Sequence, residues 1–359
     1  MTLEFGLFDG FAEREFSDGA TADALADHIK EAQLAEQLGY RYYFFIEHQN
    51  APFACITSPS VYLAAIAQAT STLRLGPMVY QLPMYHPIRL AQDAAMVDQL
   101  SRGRLEFGIG YGTRTYEFEP WHLKFDERRE LGIEVMDVVM QAWTEDKVTH
   151  HGDFFQFDQA IPRPKPYQQP HPPIWIGAHS NASFDYAAER NYHVGQNVDV
   201  DAVAAEKFAY WRGKWKNCNH AGPLPRTLLA RHVHVAETDA KARDEAEAFL
   251  VKGMRPGSNA SASAIDVSAR PEIERTPERE EFARVYKGTA TSYDFWIENG
   301  LAVVGSPETV SARLQEQQAL VGYDVFLAQH HISDMPAELA KKSLRLFGEK
   351  VIPAFSRPS

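Results

Sequence analysis

The chain has 359 residues, of which 45% are hydrophobic and 23% charged, and its formal net charge is −12. This balance is that of a globular protein and excludes disordered and collagen-like chains. The acidic excess gives no general electrostatic reason to bind nucleic acid or an anionic membrane. Two cysteines, Cys55 and Cys218, are too few for a disulfide framework in a chain of this size. No signal peptide is visible, and no apolar run reaches the roughly 20 residues that a membrane helix needs. We therefore expect a cytoplasmic protein without a membrane anchor.

Apolar patterning predicts strands and helices in alternation. Eight short apolar runs predict strands, which cover Leu3–Phe8, Tyr42–Ile46, Leu73–Val79, Arg104–Gly110, Ile174–Ala178, His193–Val198, Leu228–Val235 and Asp324–Ala328. Helical spacing and end signals predict helices over Thr21–Leu38, Ser58–Thr70, Pro87–Leu100, Arg128–Trp143, Ser183–Arg190, Val203–Lys216, Ala240–Val251 and Pro307–Leu320.

Eight strands in a βα alternation favour a closed (β/α)8 TIM barrel over an open doubly wound sheet. No composition break divides the chain, so we expect a single domain over residues 1–359. Two stretches are too long for simple connections and predict insertions after strands 4 and 7: the proline-rich Thr144–Pro173 and Gly253–Arg279. The second has few apolar residues and leaves the catalytic face of a barrel, so we predict a mobile lid at 253–279.

Residues that follow the strands are the catalytic candidates, because barrel active sites lie at the C-terminal ends of the strands. Glu47 and His48 follow strand 2, where a histidine can hydrogen-bond or protonate a bound reactant, or simply be satisfied by a neighbouring carboxylate. Residues 108–113 after strand 4 lack the third glycine of a dinucleotide fingerprint. They favour a backbone that passes close to a flat ligand, or a tight turn with positive φ.

The segment His179-Ser-Asn-Ala-Ser183 opens a helix directly after strand 5. Hydroxyls and free N–H groups at a helix start can bind an anion, and plain N-capping explains the same residues. His232 and His234 alternate along strand 7, but no further metal motif accompanies them. We therefore predict structural histidines there and no metal site.

Four motifs in chain order resemble the bacterial-luciferase-like flavin-dependent monooxygenases, a family of (β/α)8 barrels. They are Ala35–Tyr40 followed by Phe45–His48, Leu82–Arg89, Asp98–Arg104 with Phe107–Gly110, and Ile174–Ser180 with Tyr186–Ala188. The resemblance covers roughly Leu3–Gln196, with a weaker echo over Val304–Pro353.

The resemblance implies a reduced flavin at the barrel mouth. It implies His48 as the catalytic histidine and a non-proline cis peptide at Met78-Val79 beneath the flavin ring. It also implies further flavin contacts, along the ring or at the phosphate, by Gly110, Tyr111, His179, Ser180 and Ser183. Gln49, the Gly110-Tyr111 pair and His179 depart from the luciferases themselves, so neither luminescence nor a long-chain aldehyde substrate is expected.

The expected activity is that of an FMN-dependent monooxygenase. It would use reduced FMN from a separate flavin reductase and O2 to oxygenate a small organic substrate, and we expect a homodimer. The first alternative is a hydride-transfer enzyme that uses the deazaflavin coenzyme F420 and consumes no oxygen. The second is a metal-dependent barrel hydrolase, which metal analysis would reveal. The third is a flavin-binding protein without turnover.

Overall fold

The computed structural model describes residues 3–11, 15, 20–50, 56–253 and 277–355. The chain divides into two compact units. One, the discontinuous unit, combines Met1–Phe44 with Ala178–Ser359, and the other, the inserted unit, is Phe45–Gly177. The predicted lid at 253–279 lies, except for its two ends, outside the described residues.

Strands and helices alternate through the described residues. The strands are β1 (Glu4–Asp9), β2 (Tyr42–Phe45), β3 (Arg74–Pro77), β4 (Tyr80–Gln81), β5 (Phe107–Gly110), β6 (Val148–His151), β7 (Gln156–Ala160), β8 (Ile174–Gly177), β9 (His193–Gln196), β10 (Thr227–Val235), β11 (Ala302–Gly305) and β12 (Val325–Gln329). The helices are α1 (Thr21–Gln37), α2 (Pro59–Ala69), α3 (Pro87–Ser101), α4 (Thr115–Phe118), α5 (Arg128–Thr144), α6 (Asn181–Arg190), α7 (Asp201–Asn217), α8 (Asp239–Gly253), α9 (Pro277–Thr291), α10 (Tyr293–Glu298), α11 (Pro307–Val321), α12 (Ala337–Leu346) and α13 (Ile352–Phe355).

The discontinuous unit contains a parallel sheet in the order β2-β1-β12-β10-β9, and β11 also pairs with β10. β1 and β12 lie in register, with Phe5 opposite Phe326 and Leu7 opposite Ala328. Their residues are almost all buried, as expected of parallel strands covered on both faces. The carboxyl ends of β1 and β12 therefore lie side by side.

The inserted unit contains the parallel strands β8-β5-β4, with Phe107 opposite Ile174 and Tyr80 opposite Ile109. A parallel bridge joins Leu75 of β3 to Leu105, which precedes β5. Helices α2 and α3 both begin with proline, whose fixed φ and missing N–H suit the first helical position. The polar residues that follow β2, β4 and β5 therefore come from the carboxyl ends of parallel strands.

The mostly parallel, barrel-like α/β strand order confirms the predicted TIM-barrel class. The predicted strand Leu73–Val79 is wrong at its end, because β3 stops at Pro77 and β4 follows separately. The insertion Thr144–Pro173, predicted without secondary structure, contains the antiparallel hairpin β6–β7, and β11 was also missed. Among the described helices, none is both long and apolar enough to cross a bilayer.

Candidate active site

Glu47, just after β2 in the inserted unit, joins its own segment to residues 81–85 through its buried carboxylate. Its Oε1 accepts hydrogen bonds from Gln49 Nε2 and the Tyr85 hydroxyl, both at 2.8 Å, and its Oε2 accepts one from the Gln81 N–H at 3.0 Å. Burial raises the pKa of Glu47 to about 7, although these three donors oppose the shift. Glu47 therefore holds the strand ends together, and its oxygens face the protein interior.

His48 pairs with a carboxylate that is distant in sequence. Its Nδ1 lies 2.7 Å from Glu117 Oε1 on α4, and Glu117 is 1% exposed while the His48 side chain is 22% exposed. The guanidinium of Arg114 lies 3.6 Å from the same carboxylate oxygen. His48 lies after the second strand, as predicted, but its carboxylate partner is Glu117 and not the adjacent Glu47.

The His48–Glu117 dyad fixes which imidazole nitrogen carries the proton. Glu117 accepts from Nδ1–H, so Nε2 is the acceptor nitrogen of the neutral ring. Burial lowers the pKa of His48, the Glu117 hydrogen bond raises it, and the positive charge of Arg114 lowers it again. The result is a neutral imidazole near pH 7 that can take a proton at Nε2, with a carboxylate placed to stabilise the charged ring.

The Met78–Val79 peptide bond is cis, as the resemblance implies. The Met78 N–H donates to the Phe45 carbonyl at 2.8 Å, which ties this bond to the end of β2. A Cβ on Gly110 would lie 2.5 Å from Val79 Cγ2, and one on Gly177 would lie 3.1 Å from Val79 Cγ1. The structure thus brings Met78, Val79 and Gly110 together, and packing within the protein is enough to explain glycine at position 110.

Tyr111 and Gly112 complete the turn after β5. The Tyr111 ring packs on α5, where a Cβ on Gly132 would lie 2.5 Å from Tyr111 Cδ1, and the Arg129 guanidinium lies 5.3 Å from the ring centroid. Gly112 has a φ of +76°, which favours glycine. Both features agree with the tight-turn interpretation of residues 108–113.

Gln81, at the end of β4, was not selected from the sequence. Its Nε2 donates to the Glu47 carbonyl at 3.3 Å, while its buried Oε1 has no hydrogen-bond partner among the described residues. An unsatisfied buried polar atom costs about 1–3 kcal/mol, so a polar group is expected to meet it. The signal available in the sequence was its place at a strand end.

The start of α6, in the discontinuous unit, contains the three predicted phosphate residues. Ser180 is the N-cap: its Oγ accepts the Ser183 N–H at 3.3 Å and lies 3.2 Å from Ser183 Oγ. Lys207 Nζ donates to the His179 carbonyl at 2.8 Å and pairs with Asp199 at 2.7 Å. N-capping therefore accounts for the serines, and the anion site stays a prediction.

His179 itself is neutral and incompletely satisfied. Burial lowers its pKa, and Asp199 and Lys207 act in opposite directions on it. Its Nδ1 is buried and has no hydrogen-bond partner among the described residues. Such an atom at the end of β8 can meet a polar group of a ligand.

His232 and His234 have different environments on β10. His234 Nε2 lies 2.8 Å from Glu245 Oε2, and the His232 ring packs edge-on against Trp296 with 5.3 Å between ring centroids. Burial lowers the pKa of His232 to about 4. These contacts agree with the predicted structural role.

Comparison with known proteins identifies the family. The family model for luciferase-like monooxygenases matches residues 3–324. The oxygenase component of a flavin-dependent trigonelline monooxygenase from Acinetobacter baylyi is 29% identical, over 99% of this chain and 96% of that protein. The chain therefore belongs to the luciferase-like family of flavin-dependent monooxygenases, which confirms the resemblance.

Two solved structures share the fold. One is the FMN complex of the oxygenating constituent of 3,6-diketocamphane monooxygenase from Pseudomonas putida, with a TM-score of 0.77, 20% identity and coverage of 100% of both chains. The other is the coenzyme F420-dependent tetrahydromethanopterin reductase from Methanopyrus kandleri, with a TM-score of 0.72, 19% identity and coverage of 99% of both chains. Both flavin and deazaflavin enzymes thus share this architecture.

The residues present fit a flavin, whose ring edges carry hydrogen-bond donors and acceptors. Gln81 Oε1, an unpartnered buried atom at the end of β4 in the inserted unit, is a group that such an edge could satisfy. The neutral imidazole of His48 adds a proton-transfer group. Gln81 ends a parallel strand and His48 follows one, and strand ends are where barrel enzymes place their sites.

Proposed function

We propose that this chain is the oxygenase component of a two-component monooxygenase that uses reduced FMN and O2 to oxygenate a small organic substrate. The observation that carries the proposal is the partly buried His48–Glu117 dyad at the carboxyl end of β2. It supplies a neutral base with an oriented tautomer at the edge where barrel enzymes perform their chemistry.

Reduced flavin, when bound, supplies the electrons that activate O2. The chain's own part is to bind, orient and transfer protons. His48 Nε2 takes or gives a proton at the reacting centre, and Glu117 keeps Nδ1 protonated and stabilises the imidazolium that results. Arg114 lies beside the same carboxylate, and its positive charge partly offsets the charge of Glu117.

FMN is the proposed cofactor, and a separate reductase is the proposed partner. Support comes from the trigonelline relative, which is named as an oxygenase component and is similar over nearly its full length. The FMN complex of the P. putida enzyme has the same fold, although F420-dependent enzymes have it too. We propose that Ser180, Ser183 and His179 at the start of α6 hold the FMN phosphate, because hydroxyls and helix N–H groups suit an anion.

The proposal is tested with purified protein, FMN, NADH and an unrelated flavin reductase under ¹⁸O2. Trigonelline and limonene, the substrates named for two relatives, begin the substrate panel. The expected result is a product that contains one ¹⁸O atom and that forms only when this chain is present. His48→Gln should lose most of this product, whereas His150→Gln, which alters a histidine–glutamate pair between β6 and α5, should not.

F420-dependent turnover without uptake of ¹⁸O would contradict the proposal. Retention of flavin without oxygenation of any panel compound, together with unchanged NADH and O2 consumption, would favour a flavin-binding protein. In both cases the wild-type chain and the His150→Gln control must bind their cofactor equally.

A further inference from the structure

Four buried side chains that play no part in the proposed reaction converge in the discontinuous unit. Asp9, His28, Glu31 and His331 are 0%, 1%, 3% and 5% exposed, and one nitrogen or oxygen atom from each lies within 4.8 Å of the other three. Two imidazoles and two carboxylates at such spacing form a set of potential metal ligands.

Three elements bring these residues together. His28 and Glu31 are three residues apart on α1, so they share one face of that helix. Asp9 is the last residue of β1, and His331 follows β12, the strand that pairs with β1 in parallel register. The cluster therefore depends on the sheet and on α1 and needs no loop rearrangement to form.

Two close histidine–carboxylate pairs lie within the cluster. His28 Nδ1 lies 2.8 Å from Asp9 Oδ1, and His331 Nε2 lies 2.7 Å from Glu31 Oε2. Metal binding replaces the protons of such pairs. Bond lengths of about 2.0–2.2 Å would place tetrahedral ligand atoms roughly 3.3 Å apart, so side-chain shifts of a few tenths of an ångström suffice for these pairs.

Outer contacts orient the ligands. The Tyr43 hydroxyl donates to Asp9 Oδ2, the carboxylate oxygen that His28 does not contact. The Phe11 ring stacks on His28 with 4.0 Å between centroids, and Glu15 Oε1 lies 3.4 Å from His28 Nε2. In metal sites the ligating carboxylates and imidazoles are commonly oriented by hydrogen bonds and packing from surrounding groups, as they are here.

The cluster also favours a positive charge. Asp9 and Glu31 bring two carboxyl groups into the cluster, and both are buried away from solvent. Lys341 Nζ is 3.8 Å from Glu31 Oε1, so one cation already approaches the rim. Because neutral imidazoles carry no charge, the two carboxylates of the cluster can balance the charge of a divalent cation.

We propose that Asp9, His28, Glu31 and His331 bind one divalent first-row transition-metal ion, with Zn²⁺ as the preferred occupant. Four protein ligands complete a tetrahedron, which is the geometry of a structural zinc site and leaves no open position for catalysis. The ion would connect β1, α1 and the segment after β12. Sequence spacing gives no signal for this set, because Glu31 and its contact His331 are 300 positions apart. The only pair weighed as metal ligands was His232 and His234.

The direct test is Zn²⁺ binding by chelator-treated full-length protein, measured by equilibrium dialysis with elemental analysis and by thermal unfolding. One ion per chain with a Kd below about 10 µM is expected, together with a rise in Tm of several degrees in excess Zn²⁺. Asp9→Asn combined with His28→Gln should abolish both effects. His150→Gln, the control, should leave both unchanged.

Co²⁺ binding to the wild-type chain keeps the proposal testable if the double variant does not fold. A four-coordinate visible spectrum, with X-ray absorption that shows two imidazoles and oxygen ligands, supports the site. Binding of less than one ion per chain at about 100 µM Zn²⁺, or a six-coordinate Co²⁺ spectrum, overturns it. Stoichiometric binding that survives in a folded double variant would overturn it equally.

Discussion

The carboxylate that meets His48 comes from the segment after β5 and not from its sequence neighbour. Glu47 and Glu117 are both buried, yet they have different tasks. Glu47 accepts three hydrogen bonds and joins the ends of β2 and β4. Glu117 accepts a hydrogen bond from the His48 imidazole at its Oε1. Glu47 therefore has a structural role, and its neighbour His48 is the residue to which we assign the proposed proton transfer.

Glu117→Gln should lower turnover about 10- to 100-fold while the protein still folds. An amide at this position stabilises the imidazolium less, because it carries no charge. Since Glu117 raises the pKa of His48, its loss should move the His48-dependent limb of the pH–rate profile to lower pH. The profile is measured for wild type, Glu117→Gln and Glu117→Asp, and the Asp variant should recover part of the rate. An unshifted profile in the Gln variant would remove Glu117 from the mechanism.

Glu47→Gln should change how stability depends on pH. Because the folded-state pKa of Glu47 is raised to about 7, its contribution is fully present below the unfolded pKa of 4.5 and is lost as pH rises through about 7. The stability of wild type relative to Glu47→Gln should therefore fall by about 3 kcal/mol over this window, at about 1.4 kcal/mol per pKa unit. Urea unfolding of both proteins at pH 5 and pH 8 measures this difference. Equal differences at the two pH values would place the Glu47 pKa near its ordinary value.

At the level of elements, helix caps explain much of what the sequence pattern left open. Ser180 caps α6 and Ser306 caps α11, each accepting the N–H of the residue three positions later. The same serine can cap a helix and contact a bound phosphate, so capping alone does not decide between the two interpretations of residues 179–183. Substitutions at the caps of α6 and α11 can separate the capping role from phosphate binding by experiment.

Ser180→Ala combined with Ser183→Ala should weaken FMN binding about tenfold or more and riboflavin binding little. A hydrogen bond to a charged group is worth about 1.5–3 kcal/mol, and riboflavin has no phosphate. Ser306→Ala, which removes an equivalent cap, should cost stability of about 0.5–2 kcal/mol without selective loss of FMN. Titration of both ligands against the three proteins measures the effect. Equal losses for FMN and riboflavin would place the phosphate elsewhere.

Most apolar strands were predictable from the sequence, and the polar strands of the hairpin were not. β1, β2, β8, β9, β10 and β12 match predicted runs to within one or two residues, because parallel strands are apolar on both faces. The hairpin β6–β7 has mostly exposed residues, so hydrophobic periodicity gives no signal for it. His48 was selected because barrel active sites lie at the C-terminal ends of the strands. Sequence spacing cannot reveal its partner Glu117, 69 residues away, or the contact between His331 and Glu31.

For the whole molecule, the family is shown by a match over residues 3–324 and by a relative of nearly equal length. The cofactor is the main point that the fold leaves open, since FMN- and F420-dependent enzymes share it. The two cofactors differ in their response to oxygen, because the proposed reaction consumes O2 and hydride transfer with F420 consumes none. The central claim can therefore be tested without knowledge of the organic substrate.

The most direct test is stopped-flow mixing of the protein, preloaded anaerobically with chemically reduced FMN, with O2-saturated buffer. We predict that the protein binds reduced FMN and changes the rate of its reoxidation relative to free reduced FMN, with O2 consumed in proportion to the flavin. His48→Gln should alter this time course, and His150→Gln should match wild type. Reduced FMN that reoxidises as it does in buffer, together with tight binding of reduced F420, would contradict the account.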